Sequence, residues 1–269
     1  MGQPELTGGL QQAGGMHVLI TRPEPDASLW LDHLRSRGIA ATIDPMLDIV
    51  LTAPSAVLGD GVCETSAPAA LVITSRNAVR WIATATDLGD VLHLPIFTVG
   101  PGSGAAVRAL GFTTVHEGAA TARDLVPVIS AAFAGMGNIT GRLLHLSGDK
   151  IAFDLAPVLA SQGLNVDRRV VYRSQPAAAL APETVARLAN GVIDSVVLLS
   201  PLTAETFVDL VSKAGLSQFH QRLVYICLSQ NIARCLASLA PKDVVVAAEP
   251  NAQAVLMAIE VLAAAHPAC

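Results

Sequence analysis

The sequence predicts an α/β fold in which parallel sheets are covered by helices on both faces. Three observations point to it. Short apolar strands alternate with amphipathic helices along the chain, the pattern of βα units in a parallel sheet. Strand after strand ends in a Ser, Thr or Gly turn that opens the next helix. At 269 residues the chain is also long for one domain and comfortable for two.

The first strand, His17 to Thr21, is broken by Arg22-Pro23, and a helix follows from about Asp26. Its buried stripe is Ala27, Trp30, Leu31 and Leu34, at i, i+3, i+4 and i+7, and Gly38 closes it. The same unit recurs. Ala70 to Thr74 leads through Ser75-Arg76-Asn77 into a helix with Val79, Ile82, Ala83 and Thr86 inward. Ile96 to Val99 leads through Gly100-Pro101-Gly102-Ser103 into one carrying Ala106, Val107 and Leu110. Leu143 to Leu146 leads through Ser147-Gly148-Asp149-Lys150 into one carrying Ala152, Leu155, Ala156 and Leu159. Ile193 to Leu199 leads through Ser200-Pro201-Leu202-Thr203 into one carrying Phe207, Leu210, Val211 and Ala214. Leu223 to Leu228 leads through Ser229-Gln230-Asn231 into one with Ile232, Cys235, Leu236 and Leu239. Val244 to Ala247 precedes a last helix over about Ala252 to Ala264. The continuous apolar run Val196 to Leu199 suits a strand buried on both sides.

Two stretches break the pattern. Pro45 to Pro54 is extended and Pro-flanked, and Val166 to Pro176 is long, β-branched and charged. Each reads as an edge strand or a linker. Together they divide the chain into a continuous middle block and a discontinuous domain built from both ends. The boundaries expected are 17–48 plus 176–266 for the first domain, 54–168 for the second, and linkers at 49–53 and 169–175, with 1–16 a disordered tail.

Composition narrows the function classes. Hydrophobic residues make up 52% of the chain, yet the longest apolar runs are far too short to cross a bilayer. The Gly- and Gln-rich start lacks the basic and apolar regions of a signal peptide. A net charge of −5 argues against a general nucleic-acid binder, which presents a basic face. The four cysteines show no metal spacing, and Cys227 and Cys235 read as small core residues in a protein of the reducing cytoplasm. Arg168, Arg169 and Arg173, with Lys150 upstream, read as a solvated strand edge.

Each strand-end Ser or Thr is accounted for as a helix N-cap. As a set they say more. In open α/β sheets ligands sit beyond the carboxyl ends of the strands, where free N–H groups favour anions. Six such turns, with Arg22 on the first and Lys150 on the fourth, suit a ligand bearing several carboxylates or phosphates. Gly100-x-Gly102-x-x-Ala105 with Glu117 downstream also outlines a dinucleotide fingerprint, which makes a nucleotide-binding oxidoreductase the alternative. No P-loop, nucleophile elbow or paired metal-binding histidines occur. His145, within a strand, reads as a satisfied core histidine, and Asp149 and Asp154 read as first-turn helix charges. Tyr172 is one of only two tyrosines. By default it is a core or hinge residue, and the other reading makes its hydroxyl a proton donor.

From His17 to about Leu262 the chain resembles the uroporphyrinogen-III synthase family. The marks are Val18-Leu19-Ile20-Thr21-Arg22-Pro23, the Ile73 to Val79 turn, Val99-Gly100 through Ser103 to Gly111, and Ser147-Gly148. They continue with Val171-Tyr172-Arg173, Leu199-Ser200-Pro201, the Ser229 to Arg234 turn and Glu249-Pro250-Asn251. Their order and spacing carry the resemblance. It departs at Phe153-Asp154, where the family often has Arg-Glu, at Ser103 for a common Thr, and at Gln230-Asn231.

The resemblance implies two doubly wound parallel-sheet domains, one discontinuous, joined by a two-stranded linker, with the active site in the cleft. It implies a monomer, and a hydro-lyase needing neither metal nor organic cofactor. The implied substrate is hydroxymethylbilane, a linear tetrapyrrole octacarboxylate. Loss of its hydroxyl gives an azafulvene, ring D attacks through its substituted carbon to form a spiro intermediate, and reclosure leaves ring D inverted. Tyr172 aligns with the tyrosine proposed to assist departure of the hydroxyl. The substrate-binding residues implied are Arg22, Thr74, Ser75, Asn77, Gly100, Ser103, Ser147, Gly148, Lys150, Ser200, Pro201, Thr203, Ser229 and Asn231. A tetrapyrrole-sensing module without catalysis is the remaining alternative.

Overall fold

The computed structural model describes residues 15–53, 68–85, 88, 89, 91–134 and 142–265. Most of the segment expected as a tail, and Thr86 of the second helix's stripe, lie outside these residues. The chain divides into two compact units, one formed by Met1–Asp48 with Pro176–Cys269 and one by Ile49–Gln175.

The first unit holds a five-stranded sheet. Its strands are β1 (His17–Ile20), β2 (Ala40–Ile43), β9 (Ser195–Leu198), β10 (Val224–Cys227) and β11 (Asp243–Val246), in the order β11-β10-β9-β1-β2. Every adjacent pair is parallel. β1 and β9 are buried throughout, as their unbroken apolar runs require of central strands. Helix α1 (Asp26–Ser36) buries Ala27, Trp30 and Leu34, and Gly38 after it takes φ 73°, a left-handed turn open to glycine. One face of the sheet packs Leu19, Val196, Leu198 and Tyr225 against α6 (Pro182–Ala189) and α7 (Pro201–Lys213), through Leu188, Phe207, Leu210 and Val211. The other packs Val18, Ile20, Val197 and Ile226 against α1 and α9 (Ala252–Ala265). The helix after Ser229 is shorter than expected. α8 covers only Gln230–Arg234, and a 3₁₀ turn, Ala237–Leu239, buries Leu239 in its place.

The second unit holds a six-stranded sheet in the order β3-β8-β7-β4-β5-β6. Its strands are β3 (Leu47–Leu51), β4 (Pro68–Ile73), β5 (Ile96–Val99), β6 (Val115–Gly118), β7 (Arg142–Gly148) and β8 (Val166–Pro176). The two segments expected as a linker are its outer strands on one side: β3 lies at the edge, and β8 runs parallel to β7 from Val166 to Tyr172. Helices α2 (Arg76–Ala83) and α3 (Gly100–Ala109) cover one face, where Trp81, Ile82 and Val107 meet Leu71, Ile73, Leu144 and Leu146. On the opposite face α4 (Leu125–Phe133) and α5 (Ala156–Ala160) bury Leu125, Ile129 and Leu159 against Ala70, Val72 and Leu143. α5 corrects the expected helix over Ala152 to Leu159. Residues 149–155 form a longer turn, and Asp154, one residue before the Leu155 N-cap, accepts from the Ala156 N–H at 3.0 Å.

Among the described residues no helix is long and apolar enough to cross a membrane.

Candidate functional site

The strand-end turns of the second unit converge because register places them side by side. Ile73 of β4 pairs with Leu146 of β7, and Gly148 of β7 with Tyr172 of β8. Thr74 therefore follows beside Ser147, and Ser75 beside Gly148. β4 and β5 align Ile73 with Thr98, which brings the Gly100 turn alongside Ser75.

Tyr172 stands at the β8 end of this row, and its ring reaches across Gly148 toward Ser75. A single-residue slip between β7 and β8 puts it there: Ser147 pairs with Val170, but Gly148 pairs with Tyr172. Val171 is the extra residue of a bulge, and side-chain alternation is broken. Val171 and Tyr172 consequently enter the same apolar cluster, beside Trp81, Leu144 and Leu146. Tyr172 is 9% exposed. Its ring lies over Gly148, where a Cβ would fall 2.6 Å from Cζ and 2.8 Å from the hydroxyl oxygen. Glycine is required there by this close approach.

Burial pushes the phenol above the ordinary tyrosine range. A hydrogen bond with the Ser75 hydroxyl opposes that shift, and the Asp149 carboxylate adds to it. The phenol is thus a neutral O–H at physiological pH. Ser75 is also the N-cap of α2, its hydroxyl accepting from Asn77 N–H at 3.1 Å. The Asn77 side-chain oxygen Oδ1 accepts from Arg80 at 2.6 Å.

Behind the turn lies a second layer. Thr74 Oγ1 meets His145 Nε2 at 3.1 Å. His145 is 1% exposed and is held neutral down to about pH 4, chiefly by burial and next by the Arg168 guanidinium. Its buried Nδ1 has no hydrogen-bond partner among the described residues, so the expected satisfied histidine is satisfied on one nitrogen only.

Arg168 corrects a sequence expectation. Far from being solvated, its guanidinium turns into the strand end, donating to Ser147 Oγ at 2.9 Å, Gly148 O at 2.6 Å and Asp149 O at 2.9 Å. Its neighbour Arg169 instead pairs with Asp167 at 3.1 Å, and Asp167 also takes Arg142 at 2.9 Å. Asp149 is not a helix charge either. Its carboxylate accepts from Ser174 N–H at 3.2 Å, and its own N–H donates to Tyr172 O at 3.0 Å. Sequence reasoning missed Arg168 and Asp149 as site residues. The available signal for Arg168 was the charged run Asp167-Arg168-Arg169 at the start of a strand that continues with Val170 and Val171.

The other expected residues of this unit surround the row. Gly100 takes φ 72°, and Ser103 is buried in the first turn of α3. Ser147 is fully buried, and Lys150 stands exposed just beyond it. The dinucleotide outline dissolves here. Glu117, its acidic residue, is ion-paired with Arg108 and lies against Gly104, where a Cβ would collide with its carboxylate.

In the first unit the expected residues fall on the ends of β1, β9 and β10. Arg22 pairs with Asp26 at 2.8 Å and lies 4.9 Å over the Trp30 ring. Ser200 caps α7, accepting from Thr203 N–H at 3.1 Å and meeting its hydroxyl at 2.7 Å, with Pro201 exposed at the first helical position. Ser229 occupies the corresponding place before α8 without a side-chain cap bond, and Asn231 is exposed. No group of three His, Cys, Asp or Glu among the described residues is placed to hold a metal ion.

Comparison with known proteins decides the family: the family model described as Uroporphyrinogen-III synthase HemD matches residues 29–257. The chain belongs to the uroporphyrinogen-III synthase family. A search of curated protein sequences finds no significant match. Among solved structures the chain is similar to a uroporphyrinogen-III synthetase from Helicobacter pylori 26695, with 14% identity and TM-score 0.59 over 92% of this chain and 99% of that one. It is also similar to a mutant uroporphyrinogen III synthase from the extremely thermophilic bacterium Thermus thermophilus, with 17% identity and TM-score 0.54 over 94% of this chain and all of that one. At these identities the structural likeness speaks for the fold, and the family model for the membership.

Proposed function

We propose that this family member is an active uroporphyrinogen-III synthase, a hydro-lyase that cyclises hydroxymethylbilane to uroporphyrinogen III in tetrapyrrole biosynthesis. The observation that carries the reading is the family match across 29–257. The arrangement around Tyr172 supports the chemistry. A buried, neutral phenol beside Ser75 is a proton donor suited to assist departure of the substrate's hydroxyl as water. The azafulvene so formed is reactive without further help, and the protein's larger task is to hold a flexible polyanion in the one conformation that closes through the substituted carbon of ring D.

Substrate carboxylates are met in this reading by N–H and hydroxyl donors of the strand-end turns. Thr74, Ser75, Asn77, Gly100, Ser103, Ser147, Gly148 and Lys150 contribute from the second unit. Arg22, Ser200, Thr203, Ser229 and Asn231 contribute from the first, where Pro201, which has no N–H to donate, sets the opening turn of α7. Helix N-termini favour such anions. The enzyme is read as a cytoplasmic monomer that works without metal or organic cofactor and binds no nucleic acid.

Freshly prepared hydroxymethylbilane, incubated with the protein and resolved by product chromatography, tests the activity. The expected product is the type III isomer, formed faster than spontaneous closure. Type I isomer alone, at the rate seen without protein, overturns the reading and leaves the tetrapyrrole-sensing alternative. Tyr172→Phe is expected to slow turnover roughly 10²-fold, within the usual range for a lost general acid.

A further inference from the structure

We propose that Arg168 is a positioning residue for Tyr172, acting through the Ser147-Gly148-Asp149 turn. This rests on the reading of Tyr172 as the proton donor.

Tyr172 points into its cluster only because β8 carries one extra residue, Val171, opposite the junction of Ser147 and Gly148. Restoring the register would pair Gly148 with Val171 and send the phenol to the other face. A bulge at the end of a parallel strand leaves ladder carbonyls without their regular partners, and buried carbonyls must be satisfied. Arg168 meets that need. Its side chain starts beside His145 in the register, ahead of the bulge, and reaches forward along β7. There it donates to Ser147 Oγ, Gly148 O and Asp149 O, at 2.9, 2.6 and 2.9 Å. Three consecutive residues of the turn are therefore held by one planar cation.

Two further contacts close the loop back to Tyr172. Asp149 N–H donates to the Tyr172 carbonyl at 3.0 Å, and Gly148 lies under the ring. The turn is thus both the floor beneath the phenol and the backbone partner of its residue. Arg169 and Arg173 cannot substitute: Arg169 is engaged with Asp167, and Arg173 is exposed. Lysine cannot reproduce the fork, since a single ammonium lacks the fixed planar geometry of several N–H donors.

The test uses the full-length protein carrying carbon-13-labelled tyrosine. Only two tyrosines are present, and Tyr225, buried in the other unit, serves as the internal reference. Arg168→Lys is expected to shift the Tyr172 resonance and its titration while leaving Tyr225 unmoved. It should also lower kcat roughly tenfold with KM changed far less, as small displacements of a reacting group do. In a Tyr172→Phe background the same substitution should cost less than twofold. Arg168→Met, which keeps the aliphatic stem, should lose at least as much as Arg168→Lys, and a Met variant at the wild-type rate overturns the inference. An unmoved Tyr172 signal in Arg168→Lys also overturns it, and so does a loss as large in the Tyr172→Phe background as in the wild-type one. If Tyr172→Phe itself turns over at the wild-type rate, the proton-donor reading fails, and the inference falls with it. That outcome is distinguished by the single variant alone.

Discussion

The two units carry the same local signature and put it to different use. In the first, Ser200 before α7 behaves as a helix cap, its hydroxyl bonded among the described residues only to Thr203, and Arg22 is folded back onto Asp26 and Trp30. In the second, Ser75 caps α2 and also touches the Tyr172 phenol, while Ser147 caps nothing and is bonded to Arg168. The difference arises from what stands behind each turn. β9 ends on Val197 and Leu198 and β10 on Ile226 and Cys227, whereas β7 and β8 bring His145 and Arg168 up behind the Ser147 turn. A strand-end serine is therefore a cap by default, and it joins a functional network only when a neighbouring strand supplies polar groups within reach.

The contrast is most open to attack through acid. Both units hold a strand histidine whose proton affinity is lowered chiefly by burial: His145, to about 4, and His17 in the same direction. A group neutral in the fold contributes fully above the unfolded value near 6.5, and its contribution is lost as pH falls toward the folded value. His145 should cost about 3 kcal/mol between pH 7 and pH 4, from the value of one pKa unit in free energy. Urea unfolding across that range is expected to flatten in His145→Gln, and to flatten less in His17→Gln. Equal flattening would remove this difference between the units.

Steric displacement comes next. Gly148→Ala places a methyl group inside the Tyr172 ring contact, and turnover of hydroxymethylbilane should fall roughly 10²-fold by displacing the phenol. Rates within twofold of wild type would mean that the phenol's seat is not what sets the rate.

The smallest effect separates the two serines. Ser200→Ala and Ser75→Ala should each lose about 1 kcal/mol of stability, the usual value of an N-cap. Only Ser75→Ala should also raise the Tyr172 pKa further, since the hydrogen bond that opposes the shift is gone. Spectrophotometric titration of the phenol checks this, and an identical titration in both variants would reduce Ser75 to a cap.

The parts of this architecture legible in the sequence were those set by local pattern. Val196 to Leu199 announced a buried strand, and the Ala27, Trp30 and Leu34 spacing announced α1, because apolar periodicity reports burial directly. The strand-end turns were legible for the same reason. Arg168 was not, because its partners are 19 to 21 residues away and only the β7–β8 register brings them together. The bulge at Val171 left no trace either: one extra residue in a β-branched run looks like more strand. Glu117 misled in the opposite direction. It stands where a ribose-binding carboxylate would, and only the fold reveals that Arg108 already holds it.

The discontinuity of the first unit bears on how the chain is made. β1 lies between β2 and β9, so it pairs on one side with a strand close in sequence and on the other with one from the far end of the chain. Its amide at His17 is held by Asp194, across 177 residues. During synthesis, Ile49–Gln175 is complete and can mature while β1 still lacks β9. The entropy of closing so long a loop grows only logarithmically with its length, and an already compact middle block shortens the effective span further. Vectorial synthesis therefore favours an order in which the unit bearing Tyr172 forms first and its early maturation helps the two ends of the chain to meet.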